Sequence, residues 1–451
     1  MENMAIQAES TARVQEPPRG WRRMVALGPG IVWAASSVGV AEVVFATRAG
    51  AIFGMLLLWS PIVSLFMKYF ITELMGRYTV ASGENVVSAF SRIEVKIGKF
   101  MILPKGWILW LFWILFIFSI AGMGGIALAV GSTLFALAPG ISYVVWSIVT
   151  LLVVGTILFI GSYKALEDAS RILIAVMVIF VIYAIVETAP PFKSVLAGLV
   201  PSVPPESLRE LIPLLGWAGA GAIGTVWFSM WTQASGRGMA GKSFIPGSAD
   251  RGRIKEWIKI NRSDLIINTV IAGILTCGFL IAGAVILNPL HVVPEGEGMG
   301  NDLAKIAGQD FGKTGEVIFL LGVFGTLFST LLADIDGLCR VATGALGLRK
   351  GKGEINKKPY RIFLLIYLVF AGAFALLIQA PVFMLQITAG VDTVLLPVIA
   401  VLGIYVCTKF LPKEFRPGRF SVVMTCIAAA FFIFFIILLI SAMASGVKFS
   451  M

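Results

Sequence analysis

Apolar runs of about twenty residues, the length needed to cross a bilayer as a helix, recur along the whole chain, separated by short polar stretches. They fall near 26 to 47, 52 to 75, 108 to 138, 141 to 161, 171 to 190, 211 to 235, 264 to 288, 314 to 346, 361 to 380, 382 to 411 and 420 to 445. The pattern predicts eleven spanning helices. Two of the runs are broken in the middle by small residues. One is GPGIVWAASSVGVAEVVFATRAG at 28 to 50, which also carries the acid Glu42, and the other is PLLGWAGAGAIGTVWFSMWTQAS at 213 to 235. They open corresponding groups of five spans, and because five is odd the second group crosses in the opposite sense. The expected organisation is a tail at 1 to 25, an inverted-repeat half at 26 to 190, a second half at 211 to 411, and an extra span at 420 to 445. Paired broken helices in two such halves point to a transporter site near the midplane, where unwound backbone is exposed.

Charge fixes the expected orientation. With the N-terminus cytoplasmic, 28 of the 36 Lys and Arg residues fall in inside segments and six in outside ones, which places the C-terminus outside by the positive-inside rule. The net charge of +11 is therefore a topology signal and gives no reason to expect nucleic acid. The mean hydropathy of +0.92 and a charged fraction of only 14% exclude a soluble enzyme. No removable signal peptide is evident ahead of the first span. The basic stretch between 236 and 262 reads as an amphipathic segment on the inner membrane surface. The lone histidine, His291, sits in an acidic outer loop, and the four cysteines lack metal-ligand spacing. No catalytic constellation and no cofactor motif is present. The expected partners are the lipid bilayer and an ion or small-molecule substrate, with no obligate protein partner evident.

The five-plus-five arrangement resembles the LeuT-like transporters. Gly28-Pro29-Gly30, Ala49-Gly50, Gly54, Leu57-Leu58-Trp59, and Glu73, Arg77, Tyr78 and Ser82-Gly83-Glu84 fall in a register similar to the Nramp divalent-metal transporters. The resemblance implies an all-α LeuT-like fold and a transport role. It departs at the family's ligands. The positions of the Asp-Pro-Gly-Asn motif hold Gly39, Val40, Ala41 and Glu42. The span-six pattern Gly-Ala-Thr-Val-Met-Pro-His-Asn falls on Gly224 to Trp231, so Phe228 stands for the thioether and Met230 for the histidine. On that register the soft donors that suit a transition metal are missing.

An ionisable group inside a span is costly, so each is a functional candidate. Val38, Gly39 and Glu42 at the first break, Trp227, Phe228, Ser229 and Met230 in span six, and Gln386 and Asp392 in span ten are the expected substrate-binding residues. Any metal would lie between Glu42 and Asp392. Asp334, Asp336, Ser329 and Thr330 in span eight are the expected ion-coupling residues. The two aspartates are two apart and so face different sides, with Asp336 placed to reach Arg340 one turn on. The resemblance implies that hydroxyls such as Ser329 and Thr330 can join span-one carbonyls around a sodium ion. Otherwise they bond back to their own helix. Lys68 and Glu73 read as an ion pair. The expected function is a plasma-membrane secondary transporter of a cation, such as magnesium or manganese, with proton coupling. The alternative is a small organic solute or organic cation, enclosed by the span-six aromatic residues.

Overall fold

The computed structural model describes residues 13–20, 39–97, 100–160, 179, 181–183, 185–186, 190–345, 349–350 and 354–446. Val38, Gly28-Pro29-Gly30 and most of the expected fifth span lie outside the described residues. Nearly everything described is helix, as backbone in hydrocarbon requires, because only a helix or a closed barrel satisfies its own N–H and C=O groups there. Two short antiparallel hairpins, Val95–Ile97 with Phe100–Leu103 and Arg349–Lys350 with Glu354–Ile355, are the strands present among the described residues.

Helix α1 (Ala41–Leu57) opens with a π-helical turn and meets α2 (Trp59–Ser82) at a bend of 101°. Then follow α3 (Leu109–Leu137), α4 (Tyr143–Ile160), α5 (Leu208–Trp217), α6 (Ala222–Ala234) and α7 (Ser248–Leu287). The series closes with α8 (Gly312–Thr343), α9 (Lys357–Ile378), α10 (Pro381–Phe410) and α11 (Arg419–Ala444). Eight segments among the described residues are long and apolar enough to span a membrane, with α5 and α6 together forming one, and the bent α1–α2 pair makes a ninth. The central helices are the buried ones. The α5–α6 segment is 83% buried over its apolar window, against 28% for α9 and for α11, which present apolar side chains outward as a lipid-facing helix does.

Three expectations change. Arg48, which follows the expected first span at 26 to 47 and so is one of the six cations assigned to outside segments, sits in α1 and is 1% exposed. Lys68 does not pair with Glu73; Glu73 instead binds Arg77 at 2.7 Å and Arg262 at 2.8 Å. The basic 236–262 stretch is not a separate surface segment, because from Ser248 it is the first part of α7. The tail lies along it: Val14 N–H donates to Asp250, and the Trp257 indole donates to the Gln15 carbonyl. Beside it, Arg237 meets Asp264 at 2.6 Å, and burial still pulls the guanidinium below its ordinary value.

Helices α1 and α7 touch backbone to backbone through reciprocal glycines. A side chain at Gly50 would overlap the Leu280 carbonyl, and one at Gly283 would overlap the Thr47 carbonyl. This contact anchors α1 against α7. Gly283→Val is expected to cost about 2 kcal/mol by overpacking, read as a lowered unfolding temperature of the detergent-solubilised protein.

Candidate functional site

Span six is cut between α5 and α6. The last bond of α5 is Ala218 N–H to the Leu214 carbonyl, the first of α6 is Thr225 N–H to the Gly221 carbonyl, and residues 218 to 221 lie unwound between them. Gly219 takes φ +76°, a conformation that suits glycine. Unwinding leaves backbone groups without helical partners, and neighbouring side chains take them up. Ser64 and Lys68, one turn apart on α2, serve the C-terminal end of α5. The Ser64 hydroxyl donates to the Leu215 carbonyl at 2.6 Å. The Lys68 ammonium donates to the Gly216 and Ala220 carbonyls, each at 3.1 Å, and to that of Ala218. At the other side of the cut Asp392 caps α6, accepting from the Ile223 N–H at 3.4 Å and from the Trp217 indole at 2.9 Å. A cation on the carbonyl end of one half-helix and a carboxylate on the amide end of the other match the helix dipoles.

The cut in span one is held by Glu42. Its carboxylate reaches back to the Gly39 N–H at 2.8 Å, the carboxylate half of a capping box, while the Gly39 carbonyl accepts the helical bond from Val43. The same carboxylate accepts from the Gly219 N–H at 3.3 Å and from the Thr276 hydroxyl of α7 at 3.0 Å. Glu42 is fully buried. It therefore ties both breaks and α7 together and stands behind the wall formed by Gly39, Val40 and Ala41.

On the other side of that wall is a cavity enclosing about 760 Å³, mouth included, bordered by α1, α3, α5, α6, α8, α10 and the break. Its acids are Asp334 and Asp392, its hydroxyls Thr330, Thr388 and Ser119, and its aromatic rings Phe118, Trp217 and Trp227. The Asp334 carboxylate makes no hydrogen bond or ion pair with the described residues, whereas both oxygens of Asp392 are engaged. The Trp227 indole N–H is buried without an acceptor among the described residues. Thr330 meets the span-one break at Gly39, and its hydroxyl donates to the Thr326 carbonyl at 2.9 Å. One thioether, Met123 of α3, also faces the space.

The other candidates lie elsewhere. On span six the cavity is lined by Trp217 of α5, Ala220 and Gly221 of the break, and Ile223, Gly224 and Trp227, which share one face of α6. Phe228, Ser229 and Met230 turn away. Phe228 packs on Leu265 and Ser229 bonds Thr79, while Met230 packs against the core. Asp336 points from the cavity to Arg340 and to the Tyr360 hydroxyl, each at 2.6 Å. Ser329 bonds back to Thr326. Gln386 belongs to a cluster at the expected outer end: its amide donates to Glu210, it accepts from Arg209, and Glu210 pairs with Arg48 at 2.8 Å. Gln386→Ala is expected to leave the substrate KM unchanged and to cost about 2 kcal/mol of stability, for the two hydrogen bonds it loses, checked by uptake kinetics and thermal unfolding on one preparation. Sequence reasoning missed the span-six role of Lys68 and the Arg48–Glu210 pair. For Lys68 the available signal was Ser64 one turn before it in an apolar span.

Against known proteins, the family model described as natural resistance-associated macrophage protein-like, Nramp, matches residues 30–442. An uncharacterised protein of Pasteurella multocida is 25% identical over 366 residues, covering 78% of this chain and 77% of that protein. The crystal structure of the Eremococcus coleocola manganese transporter, in complex with an aromatic bis-isothiourea substituted compound, superposes with a TM-score of 0.70 at 16% identity, covering 96% of this chain and 90% of that one. Mhp1, a nucleobase-cation-symport-1 family transporter in a closed conformation with bromovinylhydantoin bound, gives 0.56 at 13% identity over 96% and 95%. The fold is thus LeuT-like.

Proposed function

This chain belongs to the Nramp family, and on that premise we propose that it is a plasma-membrane secondary transporter that carries a cation through this cavity by alternating access. Its two halves form an inverted repeat with the N-terminus cytoplasmic and the C-terminus outside, and the half-helices at the two breaks rearrange around the site.

The observation that carries the reading is Asp334, a carboxylate facing the cavity with no hydrogen-bond or ion-pair partner among the described residues. An unpaired acid at membrane depth is costly, and a mobile cation supplies the missing partner. Around the breaks, Lys68 is formally set against Glu42, Asp334 and Asp392, an excess of two negative charges that suits a divalent ion. A magnesium or manganese ion keeping part of its hydration shell takes oxygen ligands, and Asp334, Asp392 and Thr330 offer them. Coupling to an inward proton flow uses the same carboxylates.

A second reading rests on Phe118, Trp217 and Trp227 in the cavity wall. These rings beside an acid suit a small organic cation held by cation–π contact. Uptake into proteoliposomes of manganese and magnesium, with and without a pH gradient and in competition with tetramethylammonium, separates the two. Metal uptake indifferent to the organic ion supports the first reading. Organic-cation uptake without metal uptake supports the second. Uptake of neither, by protein shown to be folded, overturns both.

A further inference from the structure

Lys68 differs from the other buried cations described above. Arg48, Arg77 and Arg237 each bind a carboxylate. Lys68 is 3% exposed, and its ammonium is met by three backbone carbonyls at the span-six break, that of Gly216 in the last turn of α5 and those of Ala218 and Ala220 in the unwound segment, with no carboxylate in contact among the described residues. An ammonium has three donors and no acceptor, and here all three are used on oxygens whose lone pairs the broken helix has left over. Convergent carbonyl oxygens at a helix break, near the negative end of a half-helix dipole, are what a desolvated inorganic cation binds. Glu42 and Asp392 add attraction from either side of the break.

From this geometry we infer that the Lys68 ammonium occupies a monovalent-cation site formed by the carbonyls of the span-six break, as an ion tethered to α2. The site differs from the substrate cavity, since Lys68 is not part of the cavity wall, and the inference holds whatever the cavity carries. Its consequence is that, while the ammonium is seated, the break takes up no free sodium or potassium ion there. Lys68 is a positioning residue: it sets the geometry of Ala218 to Gly221, and through it that of Gly221 against Asp392. Arginine cannot replace it, because a planar guanidinium does not converge on three oxygens as a compact ammonium does.

The test uses the purified full chain in detergent, with thermal unfolding measured in N-methylglucamine chloride and then with sodium, potassium or methylammonium chloride at equal ionic strength. The wild-type protein is expected to unfold at the same temperature in all four salts. Lys68→Ala is expected to unfold several degrees lower in the bulky-cation salt and to regain much of the loss with at least one small cation, which now occupies the vacated oxygens. A variant as stable as the wild type, or a destabilised one that no small cation restores, overturns the inference, since a merely structural lysine predicts one or the other. If Lys68→Ala gives no folded protein, Lys68→Gln carries the comparison, because its amide oxygen can join the carbonyls around an ion. Stabilisation of the Gln variant by a small cation beyond that of the wild type supports the inference, and equal stabilisation overturns it.

Discussion

Asp334→Asn is expected to abolish transport, with initial uptake into proteoliposomes falling about 100-fold while the protein remains folded. The asparagine keeps the size and one oxygen of the aspartate and removes only the charge. Asp334 makes no bond to the described residues, so nothing in the fold loses a partner, and the unfolding temperature is expected to hold or rise because an unpaired charge has left the membrane interior. The size of the loss follows from exchanging an ion–carboxylate contact for an ion–amide one in a site screened from water: about 2.7 kcal/mol of binding or barrier is a hundredfold. The neighbouring Asp336→Asn gives the internal control. Asp336 is spent on Arg340 and Tyr360, so its variant should lose stability more than uptake.

Glu42→Ala has the opposite signature, a large loss of stability with transport lost as a consequence. Removing the carboxylate strands the Gly39 and Gly219 N–H groups around a fully buried position. The Thr276 hydroxyl keeps its bond to the Ala272 carbonyl. Two stranded buried donors cost about 4 kcal/mol in total. Glu42→Gln is expected to fall between, since one amide oxygen can still accept from one break while the amide nitrogen faces the other as a donor. Thermal unfolding of the three proteins is expected to rank wild type, Gln, then Ala. Equal stability of wild type and Ala, with uptake lost, would mean that Glu42 meets the substrate directly.

Much of this arrangement is legible in the sequence because membranes make hydropathy and small residues informative. The break in span six is visible as Ala218-Gly219-Ala220-Gly221, a run of small residues whose two glycines are poor helix formers, inside a spanning segment. Asp392 and Asp334 stand out because acids in spans are costly. The partners of those acids are less legible. Glu42 was expected to meet substrate, and no spacing along the chain reveals that Gly219 and Thr276, 177 and 234 positions away, bring it two hydrogen bonds. Lys68 was set against Glu73 on proximity alone. A helix places residues four apart on one face and residues five apart off it, and Arg77, four beyond Glu73, pairs with it together with Arg262 of α7. In span six a family register read from sequence pointed to 227 to 230, of which Trp227 alone lines the cavity. The helix rotation set by a break at 218 to 221 turns 223, 224 and 227 inward and 228 to 230 away. That rotation depends on where unwinding stops, which the caps Lys68 and Asp392 decide from other helices.

The central claim, that a cation seats against Asp334 between the two breaks, is met most directly by charge movement on a solid-supported membrane. Proteoliposomes carrying the wild-type or Asp334→Asn protein would receive concentration jumps of magnesium, manganese and tetramethylammonium. At least one of these cations is expected to drive a transient current in the wild type that is absent from the folded Asp334→Asn protein. A current of equal size in both, or none for any cation in folded wild type, would contradict the assignment.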